Sequence, residues 1–363
     1  MARVTSLPRD LPPLDVTPGP STAQPLPADR PVRWGILATG KIARAFAENL
    51  ALLPEATIAA VGARRLESAE KFAAAYGAAA AYGTYQALVE DPDVDVVYVA
   101  TPHALHVDHV LMAFEAGKPV LCEKPLTLNA EDAAHLVAVA REKGLFFMEG
   151  MWMRCNPLLR RLQQMFATGA LGTVQQVRAD LGFVVDKPPT DRLLDRALGG
   201  GALLDMGIYP LTFAHLFLGT PADVAAVATL SPAGADLNLS MSLGYASGAV
   251  ASLSSTMTAW SPRTASIATE LGRIDIPAPF HHPTSAIWVA QDTDPDLGAA
   301  DLVEELHEER IGTGLANEAL EVIRCLRNGE GESPLVPLDD TVALMREMDS
   351  IRQDIGVVYD GDR

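Results

Sequence analysis

Apolar positions follow two habits along this chain. Up to about residue 148, short unbroken apolar runs alternate with longer stretches of helical spacing. Arg33-Trp34-Gly35-Ile36-Leu37-Ala38, Thr57 to Ala63, Val94 to Ala100, Pro119 to Cys122 and Leu145 to Met148 read as buried strands. Helical patterns follow Gly40 as far as about Leu52, Tyr82-Gly83-Thr84-Tyr85, and Ala104 as far as Ala116. Another opens at Asn129, a capping residue followed by Glu131 and Asp132. Strands alternating with helices predict a doubly wound, largely parallel sheet. After Glu149 the habit changes. Asn156 to Ala167 is helical, but Gly172 to about Asp186 and Val224 to Ile276 alternate apolar and polar, as in Leu239-Ser240-Met241-Ser242-Leu243. That pattern predicts a large, mainly antiparallel open sheet. Between those stretches, glycines at 199–201 lead into a helix that puts Asp205 and Tyr209, four apart, on one face. Asp292 to Asp301 reads as an acidic loop, and Glu318 to Arg327 and Asp340 to Arg352 as closing helices.

Composition narrows the classes. The chain has 363 residues, is 48% hydrophobic and carries a formal charge of −18. That charge excludes the basic footprint of a nucleic-acid binder. No apolar run reads as long enough to span a bilayer, so no membrane partner is expected. Cys122, Cys155 and Cys325 are too few and too scattered for a disulfide framework or a zinc site, and a reducing cytoplasm is expected. Residues 1–30 are rich in proline and lack apolar periodicity, and they read as a disordered tail or arm. The expected division is a tail at 1–30, a first domain at 31–151 and a second at 152–363. Whether the last helix packs back on the first domain is left open.

The turn after the first strand carries the first chemistry. Ala38-x-Gly40-x-x-Ala43 stands where a dinucleotide-binding Rossmann turn has Gly-x-Gly-x-x-Gly/Ala. Gly40 lets backbone approach a pyrophosphate, and Ala43 allows close helix–strand packing. Ala38 suits the turn only if that position does not need positive φ. Ala38, Thr39, Gly40, Lys41 and Ile42 are therefore candidate cofactor contacts at a helix N-terminus, where free N–H groups favour anions. An acid closing the second strand would hold NAD ribose hydroxyls. Arg64-Arg65 stand there instead and suit a 2′-phosphate. NADP is expected, with NAD the alternative. Thr101, Pro102, His103 and His106 follow the next strand end and are further candidates. His106 and His109 lie three apart with no Cys or carboxylate to complete a metal site, so they read as ordinary polar or capping residues. Glu123 and Lys124 end the strand after that, where open α/β sheets bind ligands.

Taken together, Arg33-Trp34-Gly35-Ile36, Ala81 to Tyr85, Gly117 to Pro125 with its Glu-Lys-Pro, Gly144 to Glu149, Trp152-Met153-Arg154 and Gly200 to Tyr209 resemble the glucose-fructose oxidoreductase/inositol dehydrogenase (Gfo/Idh/MocA) family. Within it the chain is most similar to the dihydrodiol dehydrogenase branch. The resemblance covers nearly everything but the tail. It implies a Rossmann domain followed by a sheet-rich domain whose open face often builds dimers. It implies Lys124 as catalytic-site lysine, Tyr209 as general acid/base, Asp205 as its companion and Arg64 as the 2′-phosphate contact. It places Trp152 and Arg154 near the nicotinamide. One departure is Cys155-Asn156, where that branch often has aromatic residues. A flat aromatic ligand needs apolar walls, which this pair does not supply.

The expected activity is hydride transfer between NADP and a sugar, polyol or vicinal diol. A tyrosine is a poor base near its usual pKa of ~10, and a neighbouring lysine ammonium favours the phenolate. Two alternatives stand beside this reading. One is a non-catalytic NAD(P)-binding regulator, and the other is an enzyme with tightly held cofactor that shuttles between two sugars. A homodimer is expected.

Overall fold

The structure is a computed structural model, and it describes Leu7, Leu11 and residues 24–291, 303–359 and 362. The acidic loop expected at 292–301 and most of the proline-rich leader lie outside the described residues.

The chain divides into two compact units. One is built from Val16–Cys155 together with Ile311–Met345. The other is built from Asn156–Arg310 with the chain from Arg346 on.

In the first unit, β1 (Val32–Leu37), β2 (Ala56–Gly62), β3 (Ala80–Tyr82), β4 (Val96–Val99), β5 (Val120–Glu123) and β6 (Phe147–Gly150) form one sheet in the order β3-β2-β1-β4-β5-β6. Every pairing in it is parallel. Helices α1 (Lys41–Leu50), α2 (Leu66–Tyr76), α3 (Tyr85–Val89), α4 (His106–Glu115) and α5 (Ala130–Lys143) supply the crossovers. The strand order reverses direction between β1 and β4, which opens a crevice at their carboxyl ends. Trp34 of β1 meets Phe46 of α1 edge-on at 5.2 Å, and Phe46 stacks on Tyr98 of β4 at 3.8 Å. This aromatic column seats α1 on the sheet and so fixes where its N-terminus points. At the other end of β1, Asp95 accepts hydrogen bonds from Arg33 N–H and from the Arg30 and Arg33 guanidiniums. Gly35 is required by a close approach, since a Cβ there would lie 2.8 Å from Val94. Asn129 caps α5 through the Asp132 N–H, as its sequence suggests. The short strand β3 was not anticipated from the sequence.

In the second unit, α6 (Pro157–Ala167) precedes β7 (Val174–Gly182), and α7 (Ile208–Leu218) follows a π turn at Leu203–Gly207. Strands β8 (Asp223–Leu230), β9 (Asp236–Gly244), β10 (Val250–Thr256), β11 (Ala265–Thr269), β12 (Gly272–Ile276), β13 (Ser285–Ala290) and β14 (Val303–His307) complete an eight-stranded sheet ordered β14-β13-β12-β11-β7-β10-β9-β8. Only the β7–β10 pairing is parallel. One face buries Val177, Leu181, Leu239, Met241, Leu243 and Leu253, and α7 packs against β7 and β10. The opposite face carries Ser240, Ser242, Ser252 and the exposed Val227 and Val250. Two closing helices follow along the chain: α8 (Leu315–Asn328) belongs to the first unit, and α9 (Leu338–Ile355) begins in the first unit and ends in the second.

Two expectations need correction. Strands β13 and β14 extend the sheet past Ile276, where no further strands were expected. The stretch Arg196–Leu218 is long and apolar enough to cross a membrane by composition, contrary to the sequence reading. Most of it is buried inside the protein, as in the core helix of a globular unit.

Candidate functional site

The turn between β1 and α1 is shaped for an anion. Gly40 precedes α1 with no side chain capping the helix, and no acid lies in the first turn. The helix's first N–H groups and the positive end of its dipole are therefore left for another partner. Gly40 has an ordinary φ of −68, and a Cβ built on it would meet nothing within 4 Å. Neither backbone strain nor internal packing explains a glycine here, whereas close approach by an external group does. Thr39 is half-buried, and Lys41 and Ile42 are exposed beside it. Ala38 differs from the expectation. Its φ is +89, so an alanine occupies the position that glycine serves best, and its N–H is held by the Gly62 carbonyl at 3.0 Å. The residues present fit a dinucleotide pyrophosphate. At the end of β2, Arg64 and Arg65 are both exposed, and Arg65 precedes α2 without capping it.

The ends of β4 and β5 are joined by a buried histidine. His106 is 0% exposed. Its Nε2 lies 2.9 Å from the Thr101 carbonyl, and its Nδ1 lies 3.0 Å from Pro125 O and 3.2 Å from Leu126 O. The carbonyls favour the cation, but burial opposes it more strongly and pulls the pKa down to about 4. Neutral His106 therefore donates to one side only. The ring, expected among the cofactor contacts, ties two loops together and has no exposed surface. His109, also read as an ordinary polar residue, meets the Thr101 hydroxyl at 3.0 Å. Thr101 and His103 are buried, and Pro102 is half-buried.

Lys124 is half-buried directly after β5, and its own N–H donates to Glu123 Oε2 at 3.3 Å. Glu123 Oε1 accepts a short hydrogen bond from the Tyr98 hydroxyl. Its carboxylate is thus engaged from the sheet side. Glu149, one strand over, was noted in the sequence only as part of a matching motif. It is buried, accepts from the Leu126 N–H at 3.0 Å and the Thr341 hydroxyl at 3.2 Å, and feels the charges of Arg154 and Lys124. Burial outweighs these and raises its pKa to about 7. Trp152 and Arg154 follow β6 in a short 3₁₀ turn. Arg154 is buried and pairs with Asp340 at 2.8 Å, so its charge is committed to α9. The Cys155-Asn156 pair is structural. Cys155 is buried, and Asn156 caps α6 through the Leu159 N–H at 3.1 Å.

Asp205 and Tyr209 belong to the second unit. Ile208 N–H reaches back five residues to Leu203 O, so Asp205 sits in a π turn and Tyr209 in the first turn of α7. The α-helical spacing assumed from sequence does not hold across them. Such insertions recur at functional sites. Asp205 Oδ1 lies 3.4 Å from Arg192. Tyr209 is 8% exposed, and its ring lies 4.9 Å from that of His281. His281 escaped the sequence reading, because it lies in a loop after Phe280 with no periodicity to mark it. The first unit carries the Gly40 turn, Arg64, Arg65, Glu123, Lys124 and Trp152 at or just after strand carboxyl ends, and the second unit carries Asp205, Tyr209 and His281.

Comparison with known proteins agrees with this architecture. Residues 32–151 match the model of an oxidoreductase family with an NAD-binding Rossmann fold, and residues 159–275 match the GFO/IDH/MocA C-terminal domain. Trans-1,2-dihydrobenzene-1,2-diol dehydrogenase of Xenopus tropicalis is 37% identical over 331 residues, covering 90% of this chain and 99% of that protein. The human protein of the same name is 34% identical over 336 residues, covering 92% and 99%. Among solved structures, a 3-ketoreductase from Actinomadura kijaniata in complex with NADP and TDP-benzene aligns with TM-score 0.78 and 28% identity, covering 91% of this chain and all of that one. An aldose-aldose oxidoreductase from Caulobacter crescentus complexed with glycerol aligns with TM-score 0.78 and 27% identity, covering 90% and 97%. With both domains matched and relatives above 30% identity along nearly their whole length, the chain belongs to the Gfo/Idh/MocA family of oxidoreductases.

Proposed function

We propose that the protein is an NADP-dependent dehydrogenase or reductase acting on a CH–OH group of a sugar, polyol or vicinal diol. The observation that carries the cofactor choice is the pair of exposed arginines, Arg64 and Arg65, closing β2 where NAD binding would call for an acid. The uncapped start of α1 beside Gly40 suits the pyrophosphate. The bound cofactor supplies the hydride chemistry. The chain's own residues orient the substrate and handle the proton. Tyr209 exchanges it with the substrate hydroxyl, Lys124 contributes the positive charge that favours the phenolate, and Asp205 holds the substrate hydroxyl or orients Lys124. Relatives named for diol and aldose substrates support this class.

A screen of aldoses, polyols and trans-diols with NADP and with NAD tests the reading. Tyr209→Phe should lower turnover about 100-fold or more, the scale of a lost general acid or base, and leave cofactor affinity near native. Lys124→Met should cost a comparable amount, and the double variant far less than the product of the two. Retained turnover in Tyr209→Phe, where chemistry limits the rate, overturns the assignment.

The reading includes a homodimer formed through the outer face of the eight-stranded sheet. Val227 at 72% exposure and Val250 at 45% stand among serines on that face, and an open antiparallel sheet face is either solvated or covered by a partner. Three buried free thiols suit a reducing, cytoplasmic setting.

A further inference from the structure

We propose that Asp236 and Tyr359 are positioning residues that fix the start of the helix carrying Asp205 and Tyr209. The proposal rests on the reading of Tyr209 as the proton-exchanging group.

The helix begins without a cap of its own. Ala202 precedes the π turn and offers no side-chain hydrogen bond, so its first N–H groups need partners from elsewhere. Asp236, the first residue of β9, supplies them from 33 positions away. It is 0% exposed, and its Oδ2 accepts the Leu203 N–H at 2.6 Å. The Ala202 amide is also turned toward the carboxylate. A negative charge at this end of a helix is favoured by the dipole. Burial raises the Asp236 pKa to about 6, opposed by these amides and by Arg352, so the group is ionised at neutral pH.

Two of the three glycines before the helix follow from the packing of this loop. A Cβ at Gly201, whose φ is +144, would collide with Asp236 Oδ1. A Cβ at Gly200 would lie 2.8 Å from Asp195 N. The loop can thread between Asp236 and the preceding turn only without side chains.

The chain's end then locks the loop from its other side. Tyr359 is buried and donates its hydroxyl to the Gly200 carbonyl at 3.2 Å. Arg196 donates to Val358 O at 2.7 Å. Arg352 reaches across the Tyr359 ring at 5.0 Å and pairs with Asp349 and Asp362, each at 2.6 Å. The hydrogen bonds of Asp236 and Tyr359 fall on Leu203 and Gly200, in the loop that starts the helix. The clasp therefore acts on Tyr209 through the helix start.

The test uses the full chain with NADP and whichever aldose, polyol or trans-diol of the screen, trans-1,2-dihydrobenzene-1,2-diol among them, is turned over fastest. Tyr359→Phe removes one hydroxyl and keeps the packed ring. It should lower kcat about 10-fold with KM for NADP unchanged, since small misplacements of a reacting group cost up to ~100-fold. Amide exchange across residues 199–211, read by mass spectrometry, should accelerate. Asp236→Asn keeps an acceptor for the Leu203 N–H and should retain more of kcat than Asp236→Ala. Unchanged kcat and unchanged exchange in Tyr359→Phe overturn the proposal. So does a lowered melting temperature with kcat intact, which would make the clasp merely structural. If Asp236→Ala does not fold, Tyr359→Phe and Asp236→Asn decide alone. Failure of the Tyr209 reading is separable, because it appears as full turnover in Tyr209→Phe whatever the exchange rates show.

Discussion

Glu149 offers the sharpest test of the electrostatics around Lys124. Its carboxyl is buried among the Leu126 N–H, the Thr341 hydroxyl and the charges of Arg154 and Lys124. Burial dominates, raising the pKa from 4.5 to about 7. At ~1.4 kcal/mol per unit, that rise amounts to about 3 kcal/mol of preference for the protonated form in the folded protein. The sign follows from linkage. A carboxyl whose folded pKa is raised stabilises the fold fully below its unfolded pKa, and the contribution disappears as pH rises through the folded value. Glu149→Gln removes the titration while keeping an acceptor for Leu126 and a donor for Thr341. Denaturant unfolding of both proteins, followed by circular dichroism at about pH 5 and about pH 8, isolates the group. Native protein should lose about 2–3 kcal/mol relative to the variant between those pH values. A native-minus-variant difference that stays constant across this range would falsify the account, because Glu149 would then titrate as an ordinary carboxyl.

The remaining predictions concern the turn, the cofactor and the assembly. Ala38→Gly should stabilise the fold by roughly 0.5–1 kcal/mol, since relief of a positive φ at ~1–2 kcal/mol outweighs the backbone entropy glycine adds; a lowered melting temperature would argue against it. Arg64→Asp should weaken NADP binding and relatively favour NAD in direct titrations, whereas equal native affinities for the two cofactors would remove the basis for choosing NADP. Val227→Glu should shift the proposed dimer toward monomer in sedimentation at micromolar concentration, and a native protein that already sediments as monomer would end the dimer proposal.

The doubly wound half of this protein is written locally. Unbroken runs such as Val94 to Ala100, a glycine turn after the first strand and an asparagine cap at 129 each announce themselves within a few residues. Their order alone implies parallel pairing. The short motifs that hold Lys124 and Tyr209 are equally local. Other features depended on residues far apart in the chain. The wider turn at Leu203–Gly207 leaves no mark in a spacing argument, because the same residues would suit an ordinary helix. The reason for glycine at 201 is Asp236, which approaches only when β9 joins its sheet. His281 meets Tyr209 through a loop with no periodic signal. Strand β13 becomes a strand by pairing with β12, and β14 by pairing with β13. His106 looked available by sequence and proved fully buried, since whether an imidazole faces solvent or three carbonyls is decided by how neighbouring strand ends come together. Local sequence sets backbone preference and the pattern of apolar faces. Burial, charge and the partners of polar groups arise only from the long-range packing of those faces.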